Sequence, residues 1–251
     1  MAKNYLIYPC KALRITQSYT GTTSHLPHTT GSPKDYPWDE GCTDSGRDWC
    51  YCPCDEMVVK RIYGVGTAGT NTLWLESTSK VIFADGTKDY FTLLITHPND
   101  DDLKKIKVGQ KFARKEPICR EGNDGASGYH FHFSGGKGKF NGNGWLKNSK
   151  NKYVLDATGK EDKPENLFFI DNSFTKILNT KALKFKDLPV YTTGTYKVAV
   201  ATLIVRSGPS KENEKKAVLV KGQKVKINKI DGDFGRYDKY RWVNLDYCNK
   251  I

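Results

Sequence analysis

A chain of 251 residues has room for one large domain or two smaller ones with a real core, and its net charge of +12 selects anionic partners. Seven cysteines, an odd number, exclude a fully paired disulfide framework, and no run approaches the ~20 apolar residues of a membrane helix. There is no compact basic helix, helix-turn-helix pattern or zinc-finger spacing, so nucleic acid is set aside as a partner, as is the membrane.

The Val/Ile/Tyr/Trp/Gly-rich composition, with little helical periodicity, predicts a mainly β fold. Met1–Pro9 carries one Lys and no apolar run of signal-peptide length, so the protein is expected to be made soluble and unexported. Ala12 to Tyr19 reads as an opening strand. A Gly/Thr/Ser/Pro-rich excursion follows from Thr20 to Pro37, with a loop's composition, and holds His25, His28 and Asp35. Trp38 then marks a strand entering the core just before Asp39, which makes Asp39 the preferred carboxylate for a site and Asp35 the fallback. A solvated turn carboxylate is the competing reading of Asp39.

Cys50, Cys52 and Cys54 alternate, but structural zinc sites use pairs spaced by two to four residues. Small buried thiols in a reducing compartment are therefore preferred to a second metal site. Strands are expected at Met57–Gly64, Thr72–Glu76 and Phe91–His97, then at Lys107–Phe112 and Glu116–Arg120. His97 falls at a strand end, where a sheet hands residues to a site.

The most informative stretch is Gly128-Tyr129-His130-Phe131-His132-Phe133, entered from Gly122 and Gly125 and left through Gly135-Gly136. Polar and apolar positions alternate, and side chains two apart on a strand share a face, so His130 and His132 project together. Two such imidazoles suit a zinc site with an adjacent proton-handling group, although half-buried structural histidines would give the same pattern. All five histidines fall within the first 132 residues, and two His plus one carboxylate with an open fourth position is the usual make-up of a hydrolytic zinc site.

In order, these segments resemble the lysostaphin/LytM-type zinc metalloendopeptidases that cut peptidoglycan peptides. Thr96-His97 is similar to the family's isolated His, and Val108-Gly109-Gln110-Lys111-Phe112 to its connector. Gly128 to Phe133 matches the Gly-rich approach to its His-Leu-His-Phe, and Tyr51 to Val59 its Tyr-Ala-Pro-x-Asp-Gly-x-Val-Val. The resemblance covers roughly residues 10–140. It implies an antiparallel-sheet peptidase domain, Zn2+ as cofactor, Asp39 and His132 as metal ligands with His25 or His28 as the third, and His97 and His130 as the catalytic pair. The family's compact His-x-Gly-x-Asp is replaced here by a loop of ten or more residues, which leaves His25 and His28 open. Phe131 stands where Leu is commoner.

The stretch from Asp156 to Pro189 is polar and charged. Beyond it, Leu203-Ile204-Val205-Arg206-Ser207-Gly208-Pro209-Ser210, Lys221-Gly222-Gln223-Lys224-Val225 and Trp242-Val243 resemble a bacterial SH3-like (SH3b) domain, a small β-barrel that typically targets cell walls. Trp242 and the Val/Leu/Ile set are expected to be structural in so small a module. The expected organisation is a zinc metallopeptidase domain at 1–178, a linker at 179–191 and an SH3b domain at 192–251. The resemblance implies an endolysin of phage or prophage origin, acting on the wall after release, with peptidoglycan and anionic wall polymers as partners. A zinc N-acetylmuramoyl-L-alanine amidase and a catalytically degenerate wall-binding protein are the rival readings.

Overall fold

The structure, a computed structural model, describes residues 3–20, 36–41, 46–67, 70–147, 153–155, 158 and 160–251. The chain divides into two compact units, residues 4–188 and residues 189–251 together with the first three. It is mainly β, as expected, and among the described residues its strand pairs are antiparallel except for two short parallel ones. Among the described residues no helix is long and apolar enough to cross a membrane.

The strands of the first unit are β1 (Ala12–Gln17), β2 (Trp38–Gly41), β3 (Trp49–Tyr51), β4 (Glu56–Tyr63), β5 (Thr72–Ser77), β6 (Val81–Ile82), β7 (Lys88–Asp89) and β8 (Phe91–Thr96). They continue with β9 (Lys111–Ala113), β10 (Pro117–Arg120), β11 (His130–Lys137), β12 (Trp145–Lys147), β13 (Tyr153–Leu155), β14 (Phe169–Ile170), β15 (Lys176–Asn179) and β16 (Lys186–Asp187). Eight of them form one sheet in the order β15-β1-β2-β11-β8-β5-β4-β9. The inner strands β5 and β8 are buried along their whole length, so Leu73 and Leu75, with Phe91, Leu93 and Ile95, enter the main core. Trp74 and Leu94 lie in a separate cluster, with Phe140 packed against it.

On β11 the alternation works as expected. Phe131 and Phe133 stack in the main core with ring centroids 4.9 Å apart, which leaves His130 and His132 on the other face. Trp38 is fully buried against Phe133, and this fixes β2 beside β11.

Two local expectations change. Lys107–Gln110 is a turn with Gly109 at φ +86°, a conformation that favours glycine, and only Lys111–Ala113 is strand. Much of the expected linker at 179–191 belongs to the first unit. Leu183 and Phe185 pack on its core, and the Leu188 N–H donates to the Ile170 carbonyl at 2.7 Å. Two apolar side chains in a Lys-rich stretch were enough to dock it.

Cys50, Cys52 and Cys54 are fully buried and unpaired, and the Cys52 thiol donates to the Phe112 carbonyl at 3.2 Å. The second unit contains β17 (Gly194–Val198), β18 (Thr202–Arg206), β19 (Lys215–Val220), β20 (Lys224–Ile227), β21 (Lys229–Asp231), β22 (Phe234–Asp238), β23 (Arg241–Asn244) and β24 (Cys248–Lys250). They form a three-stranded sheet β20-β17-β24 and a five-stranded sheet β19-β18-β23-β22-β21. Between them lies a small core of Tyr196, Val198, Leu203, Val205, Val225, Ile227, Val243 and Leu245.

Candidate metal and catalytic site

Three neighbouring strands bring the site together. In the register between β2 and β11, His132 lies opposite Asp39 and His130 opposite Gly41. Across the other edge of β11, His132 lies opposite Thr96, the residue before His97. Residues directly opposite share a face, so Asp39, His130, His132 and Thr96 point to one side. Asp39 is 7% exposed. Its Oδ1 is 3.0 Å from His132 Nδ1 and 3.9 Å from His130 Nε2. The His97 ring lies 4.7 Å from the His130 ring and 5.9 Å from that of His132, centroid to centroid. Four of the six residues expected at the site thus converge. His25 and His28, like Asp35, lie outside the described residues.

The proton positions follow from the partners. The Nδ1 of His130 is 2.9 Å from the Gly128 carbonyl, and that of His97 is 2.7 Å from the Asp124 carbonyl. A carbonyl only accepts, so in each neutral ring Nδ1 carries the hydrogen and Nε2 keeps its lone pair. Burial, together with the neighbouring His130 and His132, holds His97 down to about 4; the Asp124 carbonyl and Asp39 oppose this without reversing it. His97 is therefore neutral at ordinary pH.

His97 sits at φ +79°, a left-handed conformation that a non-glycine residue adopts only when its surroundings hold it there. The surroundings do. Its N–H donates to the Asn71 carbonyl at 2.9 Å, and its carbonyl accepts from the Asp124 N–H at 3.2 Å. The Asp124 carboxylate accepts in turn from the Asn71 N–H at 2.6 Å. Asn71 Nδ2 donates to the Pro98 carbonyl and to Asp100, both at 3.0 Å, and this is the largest of the contacts holding the Asp100 carboxyl down to about 2.

Gly122 lies beneath this turn, where an added Cβ would sit 2.0 Å from the His97 carbonyl oxygen. Arg47 and Arg120 both grip Asp102, and Arg47 also donates to the Glu121 carbonyl, which ties the segment after His97 to the one before Gly122. Sequence reasoning missed Asn71, Asp124 and the role of Gly122. The Gly122/Gly125/Gly128 spacing was the only signal, and it was read as an approach to the His pair.

Ligands held at about 2.0–2.2 Å in a tetrahedral arrangement lie roughly 3.3 Å apart. The 3.0 Å between Asp39 Oδ1 and His132 Nδ1 is of that size, and nitrogen plus carboxylate oxygen is the donor chemistry of catalytic zinc. His130 Nε2 lies 3.9 Å from the same carboxylate oxygen. Among the described residues no group of three His, Cys, Asp or Glu donors is assembled. Asp39 and His132 fit two corners of a zinc site, with the third expected from His25 or His28.

No protein-family model matches the chain. No curated protein matches it either. Solved structures similar to it include a Pseudomonas aeruginosa protein described as an M23 peptidase, at 15% identity and a TM-score of 0.33, covering 65% of this chain and 50% of that one. A zinc-containing peptidase from Vibrio cholerae is similar at 19% identity and a TM-score of 0.36, covering 65% and 41%. Lysostaphin in solution is similar at 14% identity and a TM-score of 0.36, covering 92% and 87%. The chain thus spans half or less of the first two structures, and the likeness to all three is loose.

Proposed function

We propose that the chain is a zinc-dependent endopeptidase that hydrolyses stem-peptide or cross-bridge bonds of bacterial peptidoglycan. The observation that carries this reading is the convergence of Asp39 Oδ1 and His132 Nδ1 at 3.0 Å beside the paired rings of His97 and His130. Asp39, His132 and one of His25 and His28 would hold the ion. Zinc so bound supplies Lewis acidity towards a scissile carbonyl and lowers the pKa of water.

The chain's own residues handle the protons. His97 and His130 each keep a lone pair on Nε2, because Asp124 and Gly128 carbonyls engage the opposite nitrogens. Either ring can therefore accept the proton released by attacking water. The charged ring then stabilises the developing oxyanion or returns the proton to the leaving amine. Burial keeps His97 neutral between turnovers, and the same burial weakens it as a proton acceptor. The backbone network through Asn71, Asp124 and Gly122 holds its ring in position.

The second unit is read as an SH3-like wall-binding module. It raises the effective concentration of the peptidase at its substrate, and the excess of Lys and Arg adds salt-sensitive attraction to anionic wall polymers. The setting that fits this organisation is a phage or prophage endolysin. Mass spectrometry of digested walls tests the activity. New peptide termini, abolished by a chelator and by His132→Ala at equal folding, are the expected result. Free lactyl-muramic ends would make it an amidase, and no product at all would make it a degenerate binding protein.

A further inference from the structure

We infer that the outer face of the three-stranded sheet β20-β17-β24 is a binding surface for a linear phosphate polymer, held by Lys197, Lys224 and Lys226. The inference deepens the wall-adhesion part of the proposed function and rests on it for the source of such a polymer.

The strand register builds this face. Along β17, Tyr196 and Val198 point into the core, and along β20 Val225 and Ile227 do the same. The alternation turns Lys197, Lys224 and Lys226 outward, and all three are exposed. Lys197 lies directly opposite Lys224 on one side and Asn249 on the other, while Thr195 lies opposite Lys226. Cβ atoms directly opposite are about 5 Å apart and those two along a strand about 7 Å, so three ammonium groups share one small area. Among the described residues none of the three lysines is in an ion pair.

Such a face opposes folding, because like charges directly opposite one another destabilise a sheet. Edge protection explains part of it: β20 is an edge strand, and lysines there discourage pairing with another chain. It does not explain Lys197 in the central strand, set against Lys224. A polyanion lying across the sheet does, because it neutralises all three at once.

Lysine meets phosphate as a flexible point charge, and three such charges with the amide of Asn249 suit a chain of repeating phosphates.

The test measures binding of the full chain to inorganic polyphosphate across a salt series, with no hydrolysis involved. In the triple variant Lys197→Gln/Lys224→Gln/Lys226→Gln, affinity is expected to fall at least ~10-fold, and the slope of log K against log salt to drop by about two to three. Melting of the second unit should be unchanged or later, since the like-charge contact is gone. The control Lys105→Gln/Lys107→Gln/Lys184→Gln removes the same charge from exposed sites in the first unit and should bind almost as wild type. Lys197→Gln alone should show a partial loss, which keeps the test open if the triple variant is unstable. An equal loss in the control would overturn the inference, as would no loss in either triple variant or tighter binding to duplex DNA than to polyphosphate at equal phosphate. Cleavage of a soluble peptidoglycan fragment by the triple variant reports separately on the peptidase reading and should be unaffected.

Discussion

Glu40, the residue after the candidate ligand Asp39, gives the sharpest stability prediction. It is 2% exposed in a largely apolar core. Its Oε2 accepts from the Tyr8 hydroxyl and its Oε1 from the Arg14 N–H, both at 2.5 Å, while Trp38 Nε1 donates to the same hydroxyl at 3.2 Å. Burial outweighs these hydrogen bonds and pushes the carboxyl from its ordinary 4.5 up to about 8.

A raised carboxyl means that the folded state holds a proton which the unfolded chain has already lost. The contribution of Glu40 is therefore fully present below about pH 4.5 and declines as pH rises through about 8. Between about pH 5 and pH 9 the decline amounts to about 4 kcal/mol, a large part of the 5–15 kcal/mol that holds a typical protein together. Glu40→Gln keeps the shape and an acceptor but cannot ionise. Denaturant unfolding followed by tryptophan fluorescence across this range should show the wild type losing stability relative to the variant as pH rises, because groups such as His97 contribute equally to both. The curves should lie close together at acid pH and several kcal/mol apart at alkaline pH. Parallel curves would refute the reasoning.

Four further outcomes follow from the site. Gly122→Ala places a Cβ against the backbone of His97 and Asn99, and should cut peptidoglycan cleavage by about 100-fold or more while metal content stays unchanged. His97→Asn, which tolerates the left-handed backbone, should fold and bind metal but lose cleavage. Because His97 is held down to about 4 from 6.5, its contribution to stability is present above 6.5 and is lost as pH falls through about 4, so acid melts of His97→Asn should lack that loss. Of His25→Ala and His28→Ala, one should abolish metal binding and the other leave it intact, as read by metal analysis of the purified variants.

Much of the site could be read from local pattern. The alternation His130-Phe131-His132-Phe133 carries its own instruction, since both phenylalanines enter the main core and leave the imidazoles on the other face. Trp38 marked Asp39 for the same reason: a fully buried indole turns the next side chain to the opposite face. What could not be read depends on long-range pairing. Only the register of β2 on β11, across 93 residues, puts Asp39 opposite His132.

The left-handed turn at His97 was hidden too, because its supports, Asn71, Gly122 and Asp124, are ordinary loop residues until the strands meet. The docking of Leu183 and Phe185 is not legible in the sequence either, because their partial burial depends on the core they cover. Lys107–Gln110 looked like a strand by composition, and the positive φ of Gly109 makes it a turn.

The measurement that bears most directly on the central claim is zinc stoichiometry in the purified chain and in single-site variants. The expected result is one zinc per wild-type chain, loss of zinc in Asp39→Ala and His132→Ala, and retention in His97→Ala and His130→Ala, with cleavage abolished in all four. Zinc absent from the folded wild type, or held undiminished by Asp39→Ala and His132→Ala, would contradict it.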